Sequence, residues 1–375
     1  MYGWQPDILT DRVAALEACA ADTMARGELK MSALQMPTQR PNPAQIFATI
    51  QGYQQSYVLK AAVDLGVFSA IARGNHTVSA IAKAIQASER GTRIVCDALT
   101  VLNMLEKKDS TYQLTPDTAV FLDEKSPAYL GKALDFLLHE SQIEGFRRMA
   151  DAVRRGGTPE EFSALAPEDP LWVEFARGMG PLMAPAAQAI AEVIKPRLAA
   201  AKAPARVLDI AAGHGLFGVT VAEQAPNAEI YAVDWSNVLQ LASETANAHG
   251  VAGRYHTLPG SAFEVEYGTG FQAALVTNFL HHFNPETNVK LLRKVYECLA
   301  PGGEVVILEF VPEEDRVSPR IPAMFSAVML NGTPAGDAYT FSELRKMCED
   351  AGFSGPRLTR LDPMPQALVV ARKPN

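Results

Sequence analysis

Ala205-Arg206-Val207-Leu208-Asp209-Ile210-Ala211-Ala212-Gly213-His214-Gly215 decides how the rest of this 375-residue chain is read. A short apolar run bounded by small residues and glycines has the signature of a buried parallel strand. A helical pattern follows at once, Leu216-Phe217-Gly218-Val219-Thr220-Val221-Ala222, so the chain must turn sharply between the two. Small residues at Ala211, Ala212, Gly213 and Gly215 let that turn pass close to a ligand held over the strand end. The next apolar run, Glu229-Ile230-Tyr231-Ala232-Val233-Asp234, ends on an acid about 19 residues past Gly215. A carboxylate there is placed to accept both hydroxyls of a ribose. The stretch reads as a nucleoside-binding βαβ unit.

Downstream of Pro204, strand and helix patterns alternate to the end of the chain, as a doubly wound α/β sheet requires. Strands are expected at 207–210, 230–234, 254–257, 271–278 and 303–310, with helices at 237–249, 287–298 and 341–351. Two last strands, 357–361 and 366–371, are joined through Asp362-Pro363-Met364-Pro365 and read as a hairpin, which places an antiparallel strand at the sheet edge. Residues 126–203 read as helices at 129–139, 143–154, 172–183 and 186–198. They are separated by Gly156-Gly157-Thr158-Pro159 and Ala166-Pro167-Glu168-Asp169-Pro170. Phe175, Met179 and Met183 recur every fourth position on one face, which suits core packing or the wall of a pocket.

From residue 44 to 125 the pattern is a helix bearing Ile46, Phe47, Ile50, Tyr53, Tyr57 and Val58, then a short helix capped by Thr77 and a longer one capped by Ser88. A strand-like Tyr112-Gln113-Leu114-Thr115, led by a turn at Lys107-Lys108-Asp109-Ser110, completes a winged-helix pattern. A DNA reader of that kind carries a basic recognition helix. Here eight Lys and Arg face eight Asp and Glu, and the helix after Ser88 offers only Arg90 and Arg93. A dimerisation module fits better, because the first helix is too apolar to be left in water. Residues 1–43 form an extension in which Leu9, Val13, Leu16 and Met24 line one helical stripe before the proline-rich 36–43 breaks it; whether it packs as an arm stays open.

A net charge of −8 disfavours nucleic acid or an anionic membrane as partner, since both reward a basic surface. Cys19, Cys96, Cys298 and Cys348 are scattered without a CxxC spacing, which favours free thiols in a reducing cytoplasm over disulfides or zinc. The sequence shows no apolar run of membrane-spanning length and no signal-peptide pattern, so a soluble, cytoplasmic protein is expected.

Gly213-His214-Gly215-Leu216-Phe217-Gly218 also matches G-x-G-x-x-G, which alone would allow a nicotinamide or flavin enzyme. The mid-chain position of the unit behind a helical domain, the Leu299–Phe310 turn and strand after a long helix, and the closing hairpin together resemble class I S-adenosylmethionine-dependent methyltransferases. More narrowly, residues 44–372 are similar to bacterial and plant small-molecule O-methyltransferases that join a winged-helix dimerisation domain to a Rossmann-like domain. That resemblance implies four segments: an extension (1–43), a dimerisation domain working in a homodimer (44–125), a helical connector contributing to the acceptor pocket (126–203) and a cofactor-binding catalytic domain (204–375). It places Ala211, Gly213 and Gly215 along the methionine end of S-adenosylmethionine, Asp234 on the ribose and Trp235 against the adenine. The family's Gly-Asp-Met-Phe stretch corresponds to Gly260-Ser261-Ala262-Phe263, with Ser261 in place of the acid. Thr277 stands where plant members have a lysine.

Thr277-Asn278-Phe279-Leu280-His281-His282-Phe283 follows the fourth strand, where the resemblance puts a general base. His281 aligns with the family's histidine and His282 with the aspartate after it. Neighbouring residues of a helical turn point about 100° apart, so one ring is expected to face the ligand, and His281 is preferred. Imidazole, titrating near ~6.5, can take the proton of a phenol-type hydroxyl of pKa near ~10 as a methyl group arrives. The resemblance supplies Glu309 as the acid behind the ring, and a second acid near Gly336-Asp337-Ala338, for which Asp337 is the candidate. An apolar acceptor pocket is expected from Phe136, His139, Phe175, Met179, Met183, Met324, Phe325 and Met329, with Asn278 as a polar contact and no metal. The implied activity is O-methylation of an aromatic or polyketide-like hydroxyl, yielding S-adenosylhomocysteine. Carbon or nitrogen methylation, or binding of the cofactor without transfer, are the alternatives.

Overall fold

The computed structural model describes residues 41–159, 168–201 and 204–375. The expected stripe Leu9–Met24, Cys19 and the Ala166-Pro167 break lie outside the described residues. The chain divides into two compact units, Met1–Ser56 and Tyr57–Asn375. In the first, helix α1 (Ala44–Ile50) leaves Ile46, Phe47 and Ile50 more than half exposed, and α2 (Gly52–Asp64) begins.

In the second unit α2 ends and α3 (Val67–Ala72) follows. Next come α4 (Val78–Ala84), capped by the Thr77 hydroxyl, and α5 (Glu89–Val101), capped by Ser88. Strands β1 (Leu105–Lys108) and β2 (Thr111–Leu114) pair antiparallel around the positive-φ Asp109. Lys107 and Lys108, expected in the turn, are therefore in the first strand. Phe68, Ile71, Ile81, Cys96, Leu99 and Tyr112 close a small core there.

After α6 (Pro116–Phe121) come α7 (Gly131–Leu137), α8 (Glu140–Arg147) and α9 (Met149–Arg155). Then a single helix α10 runs from Pro170 to Ala200, through Pro181, Pro185 and Pro196. Two helices were expected here, because an internal proline removes one ladder bond and crowds the preceding turn. The continuous stripe Met183, Ala187, Ile190, Ile194 and Leu198 explains why the helix does not break: all five are buried against the sheet layer, and packing outweighs the missing bonds.

The sheet follows. Strands β3 (Ala205–Ile210), β4 (Ala228–Asp234), β5 (Tyr255–Pro259), β6 (Phe271–Thr277), β7 (Leu299–Glu309), β8 (Ser354–Arg360) and β9 (Ala367–Arg372) take the order β5-β4-β3-β6-β7-β9-β8. The first five are mutually parallel and β9 is antiparallel to both β7 and β8, so the hairpin lies at the edge. Helices α11 (Leu216–Gln224) and α12 (Ser236–Ala248) share a core with α10 on one face of the sheet. On the other face pack α13 (Pro285–Cys298) and α15 (Phe341–Asp350), with α14 (Arg320–Gly332) between β7 and α15 in sequence. This is the class I methyltransferase architecture. Strand order reverses between β3 and β6, and in open parallel sheets ligands bind at such a switch point, beyond the carboxyl ends of the strands.

Candidate active site

The β3–α11 turn is built as its sequence requires. Ala211, Gly213 and Gly215 all have positive φ, and Gly215 caps α11. A Cβ on Gly215 would lie 2.9 Å from the Tyr255 hydroxyl and 3.0 Å from Ala242 Cα, so glycine is needed for space as well as for conformation. Asp234, one strand over, receives the Gly213 N–H on Oδ2 (2.9 Å) and the Trp235 N–H on Oδ1 (2.7 Å). Burial pushes its carboxyl up to about 6, and the two N–H donors pull the other way. Each oxygen keeps a further lone pair for a hydroxyl donor. Thr277 Oγ1 and Asn278 Oδ1, at the end of β6, are buried without partners among the described residues. These residues could hold a nucleoside-bearing donor along the strand ends.

Ser261 Oγ accepts the Phe263 N–H at 3.2 Å and so shapes its own turn. The Ala262 carbonyl is taken by Lys294 (3.1 Å) and the Tyr267 hydroxyl, and Phe263 packs on Phe283 with ring centroids 5.0 Å apart. His214, inside the glycine turn, is buried and depressed to about 4 by that burial; its Nδ1 accepts the Leu216 N–H at 3.0 Å.

Across the switch point, the end of β6 faces the end of β7, with Thr277 registered on Leu308. A 3₁₀ turn, Leu280–His282, carries both histidines. His281 Nδ1 lies 2.6 Å from Glu309 Oε2, and both side chains are almost fully buried. Glu309 Oε1 also accepts the Phe279 N–H (2.9 Å) and the His281 N–H (3.3 Å), so the carboxylate fixes the turn as well as the ring. With Nδ1–H donated to Glu309, the lone pair of the neutral ring sits on Nε2. Among the described residues His282 has no partner for its buried Nδ1, and burial together with the neighbouring His281 pulls its proton affinity well down.

Phe136, Phe175 and Phe325, expected in a pocket, join one run of ring contacts, through Trp172, which the sequence did not single out, and the two histidines. Phe136 touches Phe175 (4.8 Å), Phe175 touches Trp172 (5.9 Å), Trp172 touches His282 (5.7 Å), and the two histidines lie 4.3 Å apart. Phe325 sets its face edge-on to His281 at 4.9 Å and stacks on Phe310 at 4.1 Å. Asn278 Nδ2 and Gln366 Nε2 both approach Met183 Sδ, at 3.7 and 3.8 Å. Met179 packs against the α10 core and Met329 is buried on α14.

Three expected residues stand apart. Asp337 pairs with Arg316 (3.1 Å) and accepts the Ala338 N–H, so the acid that reaches His281 is Glu309 alone among the described residues. His139 is exposed and caps α8 by accepting the Ser141 N–H on Nδ1. Met324 is 62% exposed on α14. Alignment by type and spacing could place Trp172 on α10 but not its contact with His282, which depends on how α10 packs. Among the described residues no helix is long and apolar enough to cross a membrane, and no group of three metal-ligating side chains converges.

Comparison with known proteins agrees with this architecture. The O-methyltransferase dimerisation domain matches residues 47–124 and the O-methyltransferase domain matches residues 146–354, more than half of the chain. A solved structure from Nostoc punctiforme PCC 73102 that bears an O-methyltransferase designation is 46% identical, covers 89% of this chain and all of its own, and superposes with a TM-score of 0.84. The 3-hydroxy-5-methyl-1-naphthoate 3-O-methyltransferase of Streptomyces sahachiroi is 28% identical over 313 residues, 82% of this chain and 89% of that protein. Human N-acetylserotonin methyltransferase, solved in complex with S-adenosylmethionine, shares the fold at 21% identity and a TM-score of 0.77, over 91% of this chain and all of that one. With a nucleoside cradle at the ends of β3 and β4 and both family domains in place, the chain belongs to the O-methyltransferase family and is an S-adenosylmethionine-dependent methyltransferase.

Proposed function

We propose that this protein methylates a hydroxyl group on an aromatic or polyketide-like small molecule, with His281 as the general base. The buried His281–Glu309 pair carries this reading: it fixes an imidazole whose Nε2 has no hydrogen-bond partner among the described residues, at the carboxyl ends of the strands beside the nucleoside cradle. When bound, S-adenosylmethionine supplies an electrophilic methyl group. Ala211, Gly213 and Gly215 line its methionine end, Asp234 holds the ribose, Trp235, Ser261, Ala262 and Phe263 border the adenine, Thr277 lies beside the cofactor, and Asn278 offers the acceptor a polar contact. His281 Nε2 takes the acceptor's proton, and Glu309 stabilises the imidazolium that results. Such a base typically contributes about 10²–10⁴-fold. Phe136, Phe175, Trp172 and Phe325 give a planar acceptor flat apolar surfaces and keep water from the proton transfer.

The naphthoate relative and a relative at 24% identity, named as a tetracenomycin polyketide 8-O-methyltransferase, support the acceptor class. The dimerisation domain and the exposed Ile46, Phe47, Ile50 and Tyr53 support a homodimer through the N-terminal region. A panel of phenols and naphthols incubated with S-adenosylmethionine tests the chemistry. Methyl ethers on hydroxyl oxygen are expected; methyl groups found only on carbon or nitrogen would overturn it.

A further inference from the structure

Beside the ring cluster, α8, α9, the start of α10 and the end of α14 enclose a cavity of about 220 Å³. Its wall mixes apolar surface with the polar side chains of Gln142, Arg148, Asp151, Arg155, Asp169 and Asn331. Most of its charges are already engaged. Asp151 holds Arg154 at 2.6 Å, Arg148 Nε lies 3.8 Å from Glu144, and Asp169 caps α10 by accepting the Leu171 N–H at 2.9 Å. Two groups are not. Asn331 is only 5% exposed, yet its carboxamide makes no hydrogen bond among the described residues; only its backbone carbonyl is used, by the Thr158 hydroxyl. The carboxamide packs over Gly145, where a Cβ would come within 2.6 Å of Nδ2. Arg155 has no ion-pair partner among the described residues. An unengaged amide that lines a cavity is available to a ligand entering it.

The cavity is tied to the catalytic turn on two sides. Leu171 lines it, and the next residue, Trp172, touches His282. On α14, Asn331 lies six residues from Phe325, the ring against His281, a separation of about 9 Å along the axis. A fused two-ring acceptor has that reach.

We propose that this cavity is the subsite for a carboxylate on the methyl acceptor, Asn331 donating an amide N–H to it and Arg155 an ion pair. The inference rests on the reading in which His281 faces the acceptor, and it narrows the substrate class to hydroxylated aromatic acids. Charge-assisted hydrogen bonds of this kind are strong and directional.

Two probes test it: 6-hydroxy-2-naphthoate, whose hydroxyl and carboxylate stand at opposite ends of the two rings, and 2-naphthol, its counterpart without the carboxylate. Binding is measured by calorimetry on the S-adenosylhomocysteine-saturated protein, and turnover with S-adenosylmethionine is followed in parallel. The wild type is expected to bind the acid at least about tenfold tighter than the naphthol. Arg155→Gln and Asn331→Asp should each erase that preference and leave 2-naphthol within about twofold. Equal affinity of the wild type for both probes, or equal weakening of both in the variants, would overturn the subsite. So would failure of the acid to bind at all. An acid that binds with the expected preference but receives no methyl group supports the subsite and counts instead against the proposed acceptor chemistry.

Discussion

His281 and Glu309 are 28 residues apart in sequence and meet across neighbouring strand ends, Nδ1 to Oε2 at 2.6 Å, with Glu309 Oε1 bonded to the backbone N–H groups at both ends of the Phe279–His281 segment. One carboxylate thus sets the tautomer of the ring and the shape of the turn that presents it. Basicity at Nε2 depends on that arrangement.

Replacing the acid isosterically separates charge from shape. In Glu309→Gln the amide can donate to Nδ1, which moves the ring proton to Nε2 and removes the lone pair facing the cleft. Turnover is expected to fall by about 10²-fold or more, while S-adenosylhomocysteine affinity stays within about twofold. The double variant with His281→Ala should be no slower than His281→Ala alone, since the two residues act as one unit. Additive losses in steady-state kcat would show that Glu309 works independently of the ring.

Gly336 is packed against the same turn. A Cβ there would sit 2.2 Å from the His281 carbonyl oxygen and 2.9 Å from the His282 carbonyl carbon, both backbone atoms that cannot swing aside. Gly336→Ala is expected to displace the imidazole and lower kcat by about tenfold or more, because small misplacements of a catalytic group are costly. Cofactor affinity, which the proposal assigns to Gly213 and Asp234, should be unchanged by calorimetry. A variant with wild-type kcat would mean that the turn tolerates movement.

The cradle was legible because its signals are local: a strand ending at Ile210, a turn of small residues, and an acid closing the neighbouring strand at Asp234. The hairpin at the edge was legible for a similar reason, through the prolines between β8 and β9. Residues brought in by tertiary packing were not. Trp172 reaches His282 because α10 continues through three prolines, and Gln366 reaches Met183 because β9 inserts beside β7. The family resemblance offers Asp337 as a second acid near the base, whereas in the structure it pairs with Arg316, 21 residues upstream. His139 has the composition of a pocket residue and the geometry of a helix cap.

Asp209 gives a stability test independent of catalysis. It is fully buried on the α11 side of β3, accepts only the Gly218 N–H (3.0 Å) among the described residues, and is pushed up to about 7 from 3.8, chiefly by burial. The folded protein therefore keeps a proton that the unfolded chain releases. Its contribution to stability is whole below pH about 4 and is lost as pH rises toward about 7. Asp209→Asn retains an acceptor for Gly218 and has no charge to bury. In urea unfolding it should gain on the wild type by on the order of 1–3 kcal/mol between pH 4.5 and pH 8. A difference that does not change with pH would contradict this.

The account turns on a base that touches the acceptor and not the cofactor, and His281→Ala measures that most directly. Titrated with S-adenosylhomocysteine and assayed beside the wild type on its best phenolic or naphtholic acceptor, the variant should bind the cofactor product within about twofold and lose about 10²–10⁴-fold in kcat. Turnover within about threefold of wild type, or loss of cofactor binding along with activity, would contradict the assignment of His281 as general base.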